Sequence, residues 1–146
     1  MKIQKRMTLQ LLLVAIFSVL SALNCKAEQL IYDTENHVIC KIDDNGVVYD
    51  RFTRRVGSVD FDGIIRDGYD VVRGKIDSEN TIRNEKGSII GFIKKNGNVY
   101  NGLNRYVGKI SKKGEVKDYS DRLLGYANGV DKRIVAVWFF SDILQR

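Results

Sequence analysis

Thr81-Ile82-Arg83-Asn84-Glu85-Lys86-Gly87-Ser88-Ile89-Ile90-Gly91-Phe92-Ile93-Lys94-Lys95-Asn96-Gly97 reads as a short apolar segment, a turn, a second apolar segment and a second turn. Ile82 and Ile93 are β-branched, and Asn-Gly is among the strongest hairpin-turn pairs, so both segments read as strands. Steps of 17 residues outward from Gly91 land on Gly74 and Gly57, on Gly108 and Gly125, and one step further back on Cys40. The same step from Gly97 reaches Asn80, Gly63, Gly46 and Gly114. Two independent registers agree, so the period is a structural repeat rather than an accident of composition. The units are 29–45, 46–62, 63–79, 80–96, 97–113 and 114–130.

Each unit has two apolar stations, Ile31, Val48, Ile65, Ile82, Val99 and Val116 in the first, and Ile42, Val59, Ile76, Ile93, Ile110 and Ala127 in the second. Their β-branched character favours a pleated, half-buried surface. One connection is a tight hairpin turn of the Asp43-Asp44-Asn45-Gly46 kind; the other opens on Asp33, Asp50, Asp67, Asn84, Asn101 or Asp118, whose side chains are suited to bonding nearby amides and starting a turn. The expected fold is all-β, a closed up-and-down meander of about 12 short antiparallel strands from six 17-residue repeats. The repeat glycines are expected to face inward, either leaving room for another element or permitting a bulge. After Asp131 the period breaks, and Ile134-Val135-Ala136-Val137-Trp138-Phe139-Phe140 is apolar all round, which suits a helix packed against or inside the sheet; a final strand is the alternative.

Lys2, Lys5 and Arg6 precede an apolar run from Leu11 to Leu20, and Cys25-Lys26-Ala27 ends on a small residue. Residues 1–27 are therefore expected to be a secretory signal cut after Ala27, leaving a single domain, 28–146, with repeats at 29–130 and a hydrophobic tail at 131–146. The alternatives are an uncleaved anchor, for which the run is short, and lipidation at Cys25, for which Ala22-Leu23-Asn24 is a poor processing site. Past residue 27 only Cys40 remains, so packing rather than a disulfide must hold the domain together. The formal charge of +6 falls to +2 there, 20 basic against 18 acidic residues, giving little reason to expect nucleic acid as a partner.

Thr81-Ile82-Arg83-Asn84, Ile89-Ile90-Gly91-Phe92-Ile93, Leu124-Gly125-Tyr126-Ala127-Asn128-Gly129-Val130 and Ala136-Val137-Trp138-Phe139-Phe140 together resemble the 5-fold β-flower family of small exported bacterial proteins. The resemblance spans residues 29–140 and implies short strand-turn-strand units closed by an aromatic-rich tail. The family's turns are richer in Ser and Asn, whereas those here are more charged. Six units are counted, or five complete hairpins from Cys40 to Asp118 with an unpaired strand at each end, to be closed by pairing near Ile31 and Tyr126. No activity comes with the resemblance.

Candidate chemistry is sparse. His37 is the only histidine, so a histidine metal site lacks a second ligand; it stands three residues from Cys40, which invites a Cys–His nucleophile, but Cys40 occupies the inward glycine station, where a small buried side chain is expected. No cofactor or metal is expected. The Asp33, Asp50, Asp67 and Asp118 series, with Asn84 and Asn101, is suited to ringing one end and binding cations or sugars, or simply to starting turns. Tyr32, Tyr49, Arg66, Arg83, Tyr100 and Lys117 point opposite to the buried stations and form the candidate ligand-binding belt, aromatic and basic, extended by Phe92 and Tyr126. The expected function is a non-catalytic exported module of the periplasm or cell surface, with a glycan, anionic polymer or envelope protein as partner. A membrane-associated envelope protein and, more weakly, an envelope-polymer hydrolase are the alternatives.

Overall fold

The computed structural model describes residues 28–144; the expected export signal lies outside them. Twelve strands follow in order, β1 (Gln29–Tyr32), β2 (Val38–Ile42), β3 (Val47–Asp50), β4 (Arg55–Val59), β5 (Ile64–Asp67), β6 (Val72–Ile76), β7 (Thr81–Asn84), β8 (Ile89–Ile93), β9 (Asn98–Asn101), β10 (Tyr106–Ile110), β11 (Glu115–Asp118) and β12 (Leu123–Tyr126), and then one helix, α1 (Lys132–Phe140). Every strand pairs antiparallel with its sequence neighbours, and β1 closes on β12 through Tyr32 and Tyr126. The expected meander, its closure at that seam and the helical tail are all present.

The two connections alternate between the two rims of the barrel. At the first rim, six hairpins join β1 to β2, β3 to β4 and so on. At the second rim, five tight turns join the hairpins and the seam takes the sixth place. Six units and five complete hairpins thus describe the same ring, counted from different rims.

Within each first-rim hairpin the register slips by one residue. Ile82 faces Gly91 and Arg83 faces Ile89, so Ile90 is left without a partner. The same slip isolates Ile39, Val56, Arg73, Val107 and Leu124 in the other units. Such a bulge bends its strand and re-aims its side chain. Five of these six residues lean against the core; Arg73 is the exception. The glycine after the bulge sits tight on the next strand, where a Cβ on Gly74 would stand 2.2 Å from the Arg83 carbonyl oxygen. Close approach and bulge, posed as alternatives from sequence, occur together.

Both apolar stations are buried in all six units and line the lumen. The helix fills it. Val135, Ala136 and Val137 are consecutive and wholly buried, so α1 is covered on every side. The end of α1 and the chain beyond it reach strands half-way round the ring from each other, with Phe140 against Gly108 on β10 and Leu144 against Gly57 on β4. A Cβ on either glycine would collide with those side chains. Asp131 caps α1 by accepting from the Arg133 amide, and its carboxylate also pairs with the Arg133 guanidinium. Each fully buried aliphatic side chain in this single core contributes about 1.5–3 kcal/mol of transfer free energy.

Candidate functional site

The carboxylate ring at the first rim is occupied by structural duty. One oxygen of Asp33, Asp50, Asp67 and Asp118 accepts from the amides two and four residues ahead, as in Asp67 with Tyr69 and Val71. Asn84 and Asn101 do the same. The turn each one starts ends on a positive-φ residue, Asn36, Thr53, Asp70, Gly87, Asn104 or Asp121. The second oxygen meets an arginine in three units, Arg54 on Asp50, Arg73 on Asp67 and Arg122 on Asp118, and the His37 ring in a fourth, on Asp33. The Ser120 hydroxyl, then the amides and guanidinium of the loop, hold the Asp118 carboxyl below the usual range. Partial burial opposes the same shift in Asp50 and Asp67, but their amide and arginine partners outweigh it.

His37 and Cys40 do not meet as a nucleophilic pair. His37 is exposed at the rim beside Asp33 and Glu35, while Cys40 is fully buried in the lumen. Burial, with the nearby Asp50 charge, pushes its thiol up to about 12. Among the described residues, no group of three His, Cys, Asp or Glu side chains is placed to hold a metal ion.

Tyr32, Tyr49, Arg66, Arg83, Tyr100 and Lys117 occupy one equivalent position on the outer wall, all half-buried. Most turn toward a residue six places earlier, at the end of the preceding unit. Arg66 Nη1 donates to Asp60 at 2.7 Å, Tyr49 Oη reaches Asp43 at 3.4 Å, and Arg83 Nε stands 3.8 Å from Asp77. Asp43, Asp60 and Asp77 also start second-rim turns, accepting from amides such as those of Val47, Ile64 and Thr81. This second aspartate series was missed in the sequence, although its 17-residue spacing was there to find. Lys117 lies 3.9 Å from both Glu115 and Asp121. Tyr32 stands at the seam opposite Tyr126.

Tyr100 is different. It stacks on Phe92 with ring centroids 5.3 Å apart and planes 10° from parallel, and meets Tyr106 edge-on at 5.8 Å. Lys94 Nζ sits 4.7 Å from the same ring. The cluster follows from pairing, since Phe92 on β8 and Tyr106 on β10 are the direct cross-strand neighbours of Tyr100 on β9. Beside it runs an open groove of about 750 Å³, floored by Phe92 and Thr81 and edged by Glu79, Lys94, Lys95 and Asn96. The charge is segregated as well. Residues 86–117 carry eight basic side chains against Glu115 alone, whereas residues 28–85 carry eight basic and thirteen acidic. The belt is therefore not a uniform ring. Its aromatic and cationic character converges on β8 to β11.

Residues 69–141, half of the chain, match the family described as 5-fold beta-flower protein. The chain belongs to the 5-fold β-flower family. No curated protein and no solved structure matches it. The matched part of this β-flower protein runs from the end of β5 through α1, and so includes the whole Phe92–Tyr100–Tyr106 cluster and the lumen-filling helix. No described helix is long and apolar enough to cross a membrane. The outer wall of the β-flower barrel carries Lys41, Arg66, Lys75, Arg83, Lys109 and Lys117, and is not the apolar band by which a barrel crosses a bilayer.

Proposed function

We propose that this protein is a non-catalytic, exported binding module that holds an acidic sugar polymer of the cell envelope on the β8–β11 face. The observation that carries the reading is the Phe92–Tyr100–Tyr106 cluster with Lys94 over Tyr100, in a segment, 86–117, that carries eight basic side chains and one acid. Aromatic rings offer apolar faces to the C–H side of a sugar, and the surrounding ammonium groups supply the counter-charge for its carboxylates or sulfates. Export rests on the charged, apolar and small-residue pattern of residues 1–27. A non-catalytic role is supported by the engagement of the ring carboxylates with their own loops and by the burial of Cys40.

The test is calorimetric titration of the protein with polygalacturonate, heparin, neutral dextran and a single-stranded oligonucleotide. Saturable binding to the acidic polysaccharides, weakened by salt and lost in Tyr100→Ala/Lys94→Ala, is the expected result. Equal binding to dextran, preference for the oligonucleotide, or no binding at all would each reject the reading.

A membrane-associated envelope protein is the second reading. It draws on the exposed loop tips Phe52, Tyr69, Leu103 and Tyr119, all at the first rim. The chain enters β1 from the second rim, so an N-terminal anchor and these tips would lie at opposite ends of the barrel. Membrane fractionation of wild type and Cys25→Ala separates the readings, with retention of wild type alone supporting a lipid anchor.

A further inference from the structure

The second rim divides into two halves of opposite charge. Taken in chain order around the ring, its six positions are the turns 43–46, 60–63, 77–80, 94–97 and 111–114 and the exit into α1 at 127–131. The first three hold Asp43, Asp44, Asp60, Asp62, Asp77 and Glu79 and no base. The next two hold Lys94, Lys95, Lys112 and Lys113 and no acid; the last holds Asp131, paired with Arg133, and leads into Lys132, a net of one positive charge over 127–133. Because the barrel is closed, these sequence blocks become two facing crescents at one end.

We propose that two copies of this chain dock face to face through this rim as a two-fold symmetric dimer. A two-fold axis lying in the plane of the rim, between the third and fourth positions and between the sixth and first, lays the second and third turns on lysine-bearing partners and the first on the Asp131-Lys132-Arg133 exit, whose net charge is positive. The first position meets the sixth, the second meets the fifth, and the third meets the fourth. One operator therefore opposes acid to base at the second and third turns of both copies at once, which is the self-complementarity an isologous interface requires.

An apolar contact accompanies the charge. Phe61, in the second position, is 93% exposed, an unusual state for a phenylalanine at a turn tip. Its backbone is steadied by Arg133, whose Nη1 donates to the Phe61 carbonyl oxygen. The fifth position of the opposing copy borders a pocket lined by Ile110, Ala127 and Val130 and edged by Lys112, Asp131 and Lys132. An aromatic anchor entering an apolar pocket inside a charged border is the usual anatomy of a binding hot spot. Glu28, the first described residue, pairs with Lys41 on the outer wall.

Sedimentation velocity of the purified chain tests the proposal. At low salt the wild type sediments as a dimer, and about 1 M salt shifts it to monomer. Asp62→Lys alone and Lys112→Glu/Lys113→Glu alone each lower the dimer fraction by at least about tenfold, since every copy then sets like charge against like. Mixing the two variants restores the dimer, because each then meets its complement, and a chain carrying all three substitutions dimerises by itself. That rescue separates a lost interface from a lost fold. A monomeric wild type at low salt overturns the proposal, as does a dimer that persists through high salt and both variants, or a mixture that stays monomeric.

Discussion

Lys94 Nζ lies 4.7 Å from the ring of Tyr100, in the place where Asp60 meets Arg66 two units earlier. The same two repeat positions thus hold an ion pair in one unit and a cation over an aromatic ring in another. The backbone keeps the pair in contact, and divergence decides what that contact is for. A Lys94→Asp/Tyr100→Arg variant restores the ion-pair version. Its stability should stay within about 1 kcal/mol of wild type, as for other exposed pairs. Its affinity for acidic polysaccharide should fall about tenfold or more, the cost of one lost stacking and cationic contact. Urea unfolding and titration calorimetry on the same sample check both halves.

Two glycine substitutions separate close approach from turn conformation. Gly74→Ala places a methyl 2.2 Å from the Arg83 carbonyl oxygen and should cost about 3 kcal/mol or more, because the sheet must move. At Gly87 a Cβ would have nothing within 4 Å, and only the positive φ of 82° resists it. Gly87→Ala should cost about 1 kcal/mol. Denaturant midpoints of the two variants give the comparison, and equal losses would contradict it.

Acid stability should depend on the rim aspartates. The carboxyls of Asp33, Asp50, Asp67 and Asp118 are held below their ordinary value in the folded state. Groups depressed on folding contribute stability above their unfolded pKa of about 3.9, and that contribution disappears as pH falls through the folded values. In an Asp50→Asn/Asp67→Asn/Asp118→Asn variant the turns persist, as Asn84 and Asn101 demonstrate, but the titration is gone. The variant should be less stable than wild type at neutral pH and lose less on acidification below about pH 4. Thermal melts across that range measure the slope.

Cys40 should resist thiol reagents until the barrel opens. Its sulfur is buried and its thiol is pushed up to about 12, so the reactive thiolate is scarce at neutral pH. In a chain of residues 28–146, which lacks Cys25, an aromatic disulfide reagent should report no free thiol in the native state and a full equivalent at Cys40 in denaturant. Prompt labelling of the native state would mean that the lumen near β2 opens readily.

The fold was legible because each repeat states its geometry in small, periodic tokens. Val or Ile at both stations, Gly after the bulge and Asp or Asn at the turn recur in register, so errors in one unit are corrected by the others. The seam was legible for the same reason, since Ile31 and Tyr126 occupy the positions of neighbours that lack a covalent link. The site was less so. Periodicity placed Tyr100 in the belt with Arg66 and Arg83, and equivalence of position suggested equivalence of role. What distinguishes Tyr100 is its neighbours across the sheet, Phe92 and Tyr106, and the pairing register sets those only once the strands are aligned. Arg73 escaped attention too. It sits where the other units put a core-packing side chain, and instead bridges Asp67 and Glu85 at the rim.

The helix that fills the lumen follows the repeats in the chain, and this orders the events of synthesis. The six units emerge first with their apolar stations turned toward a space that nothing yet occupies. Until Val135, Ala136 and Val137 arrive, the ring has strands without a centre, and its inward valines and isoleucines remain available to other chains. A nascent chain stalled before Ile134 is therefore a substrate for chaperones, and a premature stop there should yield a sticky, incomplete ring rather than a smaller β-flower.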